Sequence, residues 1–267
     1  MEWTCQGLRV LTQELLDILW DFSDPAGSED RLRQALLSGR YDDVEQAELA
    51  TQIARALSRQ GFFDEAKEVL DEVAESPASQ EPAVWARVLL ERGRVLNSYG
   101  HKTLATTLFE RAANHAAMHG LIFLGVDALH MLAIADVAHA DGWTLKALDL
   151  ADNAEDPRTA QWSISLHSNL GWHFDDAGDH WAGLHHFRLA KIAADECGTD
   201  AQRHIAQWTV GRCLRAMGRF EDALEIQEEL DANDPEDPYV LEELTELRRT
   251  LAGPGSDQDG DDTQPRR

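Results

Sequence analysis

Five glycines set the register of this chain. Gly61, Gly100, Gly142, Gly178 and Gly218 succeed one another at intervals of 39, 42, 36 and 40 residues. Seven residues before each stands a small residue, in turn Ala54, Gly93, Ala135, Gly171 and Gly211, and five residues after each stands another, in turn Ala66, Ala105, Ala147, Gly183 and Ala223. Small residues at those offsets let two antiparallel helices approach closely, and the glycine between them relieves a tight turn in which positive φ costs other residues energy. The flanking segments carry apolar residues at three- and four-residue steps, as in IARAL before Gly61 and AKEVLDEV after it, which is the period of an amphipathic helix. Each repeat is expected to be a helical hairpin, with helix A before the glycine and helix B after it.

The segments ALSRQGFFDEAKEVLDEVAESP, LGWHFDDAGDHWAGLHHFRLA and VGRCLRAMGRFEDALEIQEEL resemble tetratricopeptide repeats of the bacterial type with longer-than-usual units. The resemblance spans roughly residues 46 to 233, and Leu70, Phe109 and Phe187 stand where that family places a bulky helix-B residue. The chain departs from the pattern in three ways. Its period exceeds the usual ~34 residues, Gln227 takes the bulky place in the fifth repeat, and Gly183 replaces alanine in the fourth. The longer units are similar to those of kinesin light chains and of bacterial peptide-pheromone regulators. The resemblance implies an all-α fold, a right-handed α-solenoid of stacked antiparallel helix hairpins forming a TPR-like superhelix.

Proline placement agrees with this division. Pro77 and Pro82 fall between the first two repeats, Pro157 between the third and fourth, and Pro235 and Pro238 after the fifth, so none interrupts an expected helix. Upstream, LRVLTQELLDILWDF reads as an amphipathic helix and SEDRLRQALLSG as a second with Ser28 as its N-cap. The expected organisation is N-terminal capping helices over 1–45, five repeats over 46–233, and a C-terminal capping helix over 234–252 that covers the apolar end of the stack. Residues 253–267 have no apolar face and are expected to form a disordered acidic tail.

Acidic residues outnumber basic ones 49 to 24, for a formal net charge of -25. Such a surface repels phosphate backbones and anionic headgroups, so neither nucleic acid nor membrane is an expected partner. Cys5, Cys197 and Cys213 are odd in number, scattered and free of CxxC spacing, which argues against a disulfide framework. MEWTCQGLRVL lacks the features of a signal peptide, and no run of 18 apolar residues occurs. These features point to a cytoplasmic protein.

The stretch NLGWHFDDAGDHWAGLHHF, residues 169 to 187, invites a metal-site or catalytic reading. In the repeat register Asp175, Asp176 and Asp179 fall in the inter-helix turn, where they serve helix ends. His185 and His186, adjacent on one helix, point apart. His115 and His119 share a helical face but have neither a third ligand nor the glutamate of HExxH. Cys213 reads as a small packed thiol. With no GxSxG, GxxxxGK[ST] or strand-borne GxGxxG, no catalytic residue, metal or cofactor is expected. A metal-dependent enzyme is the remote alternative.

In the resembled family helix A lines the concave surface, and the register puts Arg55 of the first repeat, Arg94 and Asn97 of the second, Asp136 and His139 of the third, Asn169 and Trp172 of the fourth, and Trp208, Arg212 and Arg215 of the fifth on that wall, with Asp175 at its rim. Arginine offers a planar fork to a carboxylate, tryptophan a stiff contact surface, and asparagine pairs with both groups of a peptide bond. The expected ligand is a protein or peptide segment bearing an acidic residue or a free C-terminus. In the competing reading the arginines neutralise Asp136, Asp175 and nearby acids, and the tryptophans fill contacts between repeats. The carboxylate clamp of chaperone-binding repeats does not map, since Gln52 and Glu91 stand where it needs asparagine. The expected function is a non-catalytic interaction scaffold or adaptor, and the alternative is a peptide-sensing regulatory module. Oligomeric state is not specified by the sequence.

Overall fold

Proline and glycine fix the ends of the helices. The computed structural model describes residues 11–253; the segment containing Cys5 and the expected acidic tail from residue 254 lie outside them. No strand occurs among the described residues. The chain divides into two units, one ending at Trp162 and the other beginning at Ser163.

The N-terminal unit runs through α1 (Gln13–Leu19), α2 (Pro25–Leu37), α3 (Asp43–Gln60), α4 (Phe63–Glu75), α5 (Pro82–Ser98), α6 (Lys102–His119), α7 (Ile122–Ala135), α8 (Ala140–Asp152) and the single turn α9 (Pro157–Ala160). The C-terminal unit takes in α10 (Trp162–Asp176), α11 (His180–Cys197), α12 (Asp200–Ala216), α13 (Phe220–Asn233) and α14 (Pro238–Ala252). Proline opens α2, α5, α9 and α14, the one helical position where its missing N–H costs nothing. Reciprocal capping boxes start α3, from Asp42 and Glu45, and α12, from Thr199 and Gln202.

The turn glycines Gly61, Gly100, Gly178 and Gly218 have φ of 86°, 83°, 82° and 76°, the left-handed region that glycine enters without penalty. Gly142 departs from the expected register, for it lies in the first turn of α8. The third hairpin turns earlier, through Asp136 and the 3-10 turn Val137–His139. There the Asp136 carboxylate accepts hydrogen bonds from Trp143 Nε1 at 3.1 Å and His139 Nδ1 at 2.9 Å, which hold the turn without a left-handed residue. Ser28 is likewise not an N-cap. Asp24 caps α2, accepting from the Gly27 N–H, and Ser28 is buried in the helix with its hydroxyl bonded to the Asp21 and Asp24 carbonyls.

Packing within each hairpin follows a size rule. The small residue of helix A and the bulky place of helix B lie sixteen positions apart, and their volumes compensate. Ala54 and Leu70 share a core cluster. A Cβ on Gly93 would collide with the Phe109 ring, and one on Gly171 with Phe187, so glycine on α5 and α10 is what admits a phenylalanine from α6 and α11. In the third repeat both places are alanine, Ala135 and Ala151, and both are buried. The fifth repeat breaks the chemistry of the rule. Gln227 is fully buried against Gly211, and neither amide atom finds a hydrogen-bond partner among the described residues. Beyond it, α14 buries Val240, Leu244 and Leu247 and so covers the last hairpin.

Two substitutions separate turn glycines from packing glycines. Gly171→Ala is expected to lower stability by about 1–3 kcal/mol through overpacking, whereas Gly142→Ala, with open space around its Cβ position, is expected to be neutral or to gain up to about 1 kcal/mol of helix propensity. Gln227→Leu, which removes two unpaired polar atoms from the core, is expected to raise stability by about 1–2 kcal/mol. Thermal unfolding followed by circular dichroism measures all three.

Candidate protein-binding site

In the N-terminal unit the helix-A side is built by α3, α5 and α7, and its charges are largely matched internally. The Arg94 guanidinium lies between Glu91 one turn earlier and Asp127 of α7, paired with both; the three side chains are 11%, 2% and 8% exposed. Burial pushes the Glu91 carboxyl up. At Asp127 burial is the largest single influence and acts the same way, but Arg94 and Arg55 together outweigh it and hold that carboxyl below the usual range. The two acids in turn hold Arg94 above its ordinary value in spite of burial. Arg94 therefore serves the core of this unit. Arg55 differs: burial lowers it to about 10, with a further push from Arg94, and its plane packs over the rings of Trp20 and Phe22 at 5.3 and 5.4 Å. Asn97 is partly buried on α5, and its Oδ1 has no hydrogen-bond partner among the described residues. Asp136 and His139 bond to each other in the α7–α8 turn, away from the body of α7.

In the C-terminal unit α10, α12 and α14 bring a different set together. Trp172 of α10 packs edge-on against Phe187 at 4.9 Å. From α12, the Arg212 guanidinium lies 4.8 Å from the Trp172 ring centre and 5.8 Å from that of Trp208, within cation–π range of both. Trp208 meets Tyr239 of α14 at 6.1 Å, near perpendicular. One turn along α12, Arg215 donates two hydrogen bonds to Glu243 of α14, at 2.6 and 2.9 Å; these raise Arg215 above its ordinary value. Glu243 is thus occupied by Arg215, and Arg212 approaches it only to 3.9 Å. Arg212 stays 41% exposed, with this long ion pair as its link to Glu243. Asn169 is exposed on α10.

Asp175 turns inward to accept from His180 Nδ1 at 2.6 Å and from the Cys213 thiol at 3.5 Å. Burial first, then Asp175, pushes that thiol up to about 12, which keeps it protonated and un-nucleophilic at neutral pH. Asp179 caps α11, accepting from the Ala182 N–H. His186 stacks on Phe174 and meets His167 across the hairpin at 3.1 Å, while His185 is exposed. His115 and His119 lie ring to ring at 4.5 Å, and His115 also bonds the Pro82 carbonyl. Among the described residues no group of three or more His, Cys, Asp or Glu is placed to hold a metal ion, and no single helix is long and apolar enough to cross a membrane.

Sequence reasoning missed Glu91, Asp127, Glu243 and Tyr239. The last two lie on α14, which carries no turn glycine and so stood outside the register. Its amphipathic stripe was visible, but nothing in the stripe marks which acid meets an arginine of α12.

No protein-family model matches the chain, and no curated protein matches it either. Solved structures do. BtubC (BKLC) from P. vanneervenii superposes with a TM-score of 0.59 at 16% identity, covering 94% of this chain and 95% of that one. The Signal Transduction ATPase with Numerous Domains protein with a tetratricopeptide repeat sensor, from Pyrococcus horikoshii, gives 0.63 at 13% identity over 90% of this chain, which spans only 36% of that protein. A Rap protein complexed with Competence and Sporulation Factor gives 0.56 at 16% identity, covering 91% and 77%. At these identities the likeness is one of fold, and the chain has a TPR-like α-solenoid fold.

The buried triad yields a prediction with a defined sign. Asp127→Asn leaves Arg94 with one partner and is expected to cost about 3 kcal/mol at pH 7. Because the folded carboxyl of Asp127 lies below its unfolded value, its contribution is complete above about pH 5 and fades as pH falls through and below the ordinary carboxylate value near 4. Urea unfolding of both proteins is expected to show a gap at pH 7 that narrows towards pH 3.

Proposed function

We propose that the protein is a non-catalytic interaction module that captures a segment of a partner protein on the helix-A side of its C-terminal unit, with Arg212 receiving a carboxylate. The observation that carries this reading is the state of Arg212. Two tryptophan rings lie within cation–π range of it, Arg215 takes the two short hydrogen bonds of the nearest acid and leaves Arg212 only a 3.9 Å contact, and its side chain is 41% exposed. A pre-oriented, partly desolvated guanidinium forms a bidentate pair at low entropic cost. The partner carboxylate belongs to an acidic side chain or a free C-terminus, and exposed Asn169 on α10 serves its backbone. Trp172, Trp208, Arg212 and Asn169 form this site. Arg215 positions Glu243 beside it. Arg55, Arg94, Asn97, Asp136 and His139 take no part in it.

A second reading is a peptide sensor, in which a short peptide signal settles on this face and changes the affinity for another partner. Its support is the fold likeness to the Rap protein, solved with Competence and Sporulation Factor, and to the ATPase with a tetratricopeptide repeat sensor. In either reading the strongly acidic surface leaves nucleic acid and anionic membrane outside the partner class, and the scattered cysteines fit a cytoplasmic setting.

The test is binding of immobilised peptide libraries that present acidic side chains or free C-termini, read beside amide-capped and neutral controls. Wild type is expected to select carboxylate-bearing peptides, and Arg212→Ala and Trp172→Ala each to lose about tenfold or more in affinity, the weight of one hot-spot contact. Selection by the variants equal to that of wild type would sink the assignment. A sensor adds a saturating thermal shift with peptide, following RT ln(1 + [L]/Kd).

A further inference from the structure

The helix-A side of the N-terminal unit already holds a largely helical passenger, and it is the chain's own residues 11 to 22. The Leu11 N–H donates to Glu45 of α3 at 2.7 Å. Arg87 of α5 donates to the Gln13 side chain at 2.9 Å. Arg158 of α9 pairs with the Asp17 carboxylate across 141 positions of sequence. Trp20 donates its indole N–H to Gln52 of α3 at 3.2 Å and stacks on Phe22 with ring centres 5.2 Å apart. Arg55 covers both rings, and Arg59 donates to the Phe22 carbonyl at 3.1 Å while packing over the Phe22 ring.

With Arg31 of α2, which donates to the Leu19 carbonyl at 3.0 Å, five arginines of a strongly acidic chain thus converge on one short segment. The contacts are a guanidinium–carboxylate pair, cation–π faces and donors to backbone and side-chain oxygens, which are the means by which a peptide is read. Its anchor in the core is Leu16, with partly buried Leu11, Leu19 and Trp20 packed beside it, while Ile18 and Phe22 are 74% and 55% exposed. Removal of the segment would leave Arg55 and Arg158 facing solvent with no acid or ring of the segment to answer them.

We propose that residues 11–22 occupy in cis the surface on which the N-terminal unit receives a segment of a partner protein. The partner that fits carries the same chemistry in the same order: an acid, an indole three residues on, and a second aromatic two residues after that, as in Asp17, Trp20 and Phe22. This surface is independent of the Arg212 site, which belongs to the other unit. Its own segment holds a trans ligand off by tethering, since the short connection to α2 makes its binding intramolecular and its effective concentration high. Partner binding here therefore requires release of α1.

A fluorescein-labelled peptide of residues 11–22, LTQELLDILWDF, tests the proposal by anisotropy against full-length protein. The wall stays intact when only the passenger is changed, so Asp17→Arg with Trp20→Ala is expected to bind the peptide at least tenfold more tightly than wild type. Arg158→Asp with Asp17→Ala and Trp20→Ala, in which no cis ion pair can re-form, is expected to abolish binding, and a peptide with arginine in the place of Asp17 to restore it. Equal binding by wild type and variant overturns the proposal, as does absence of binding by a variant that keeps wild-type helical circular dichroism. If the double variant loses helicity, Trp20→Ala alone, which leaves Leu16 and Asp17 in place, is expected to show a smaller gain over wild type; no gain there also overturns it. Sedimentation of the folded variant as a dimer that excludes the peptide would assign the wall to a second copy and overturn the proposal for a separate partner.

Discussion

The fold depends on how closely helix A can approach helix B within each hairpin. That distance is set by paired volumes: alanine against leucine, glycine against phenylalanine, alanine against alanine. Dense packing at this one place fixes the angle and height of each hairpin. It thereby decides which residues of helix A point to the next repeat and which to the binding side. The turn glycines matter less, since the third hairpin turns without one by means of a carboxylate, an imidazole and an indole.

Much of this was legible beforehand because volume and periodicity are local properties. The spacing of Gly61, Gly100, Gly178 and Gly218 located four turns, and the proline positions located helix starts. Gly142 misled because a glycine in a helix and a glycine in a turn look alike to a spacing argument, and only the competing hydrogen bonds of Asp136 distinguish them. Ser28 misled in a similar way: Asp24 with Pro25 is a stronger start than a serine three residues further on.

The binding side was less legible, and charge is the reason. Register arguments place a side chain on a face but say nothing of what neutralises it. Arg94 and Arg212 hold equivalent places in the repeat, yet one is paired closely with two buried acids and the other lies near two indole rings with only a 3.9 Å contact to an acid. The difference comes from Asp127 and Glu243, each on the following helix A, at positions the repeat leaves free to vary. The sequence reading that arginines neutralise neighbouring acids describes the N-terminal unit, though with acids other than those it named. The His and Asp residues of the fourth repeat turn out to cap, stack and bond within their own hairpin.

The role of α14 bears on how such a protein can change over time. That helix closes the apolar end of the last hairpin, and through Glu243 it also engages Arg215 closely and Arg212 only at 3.9 Å. Termination and the proposed recognition thus rest on a single element. Lengthening the array by duplicating an internal hairpin would conserve the hairpin packing yet lose that proposed selectivity, unless the inserted helix brought its own glutamate. Under the proposed function the array is modular in architecture but not in specificity.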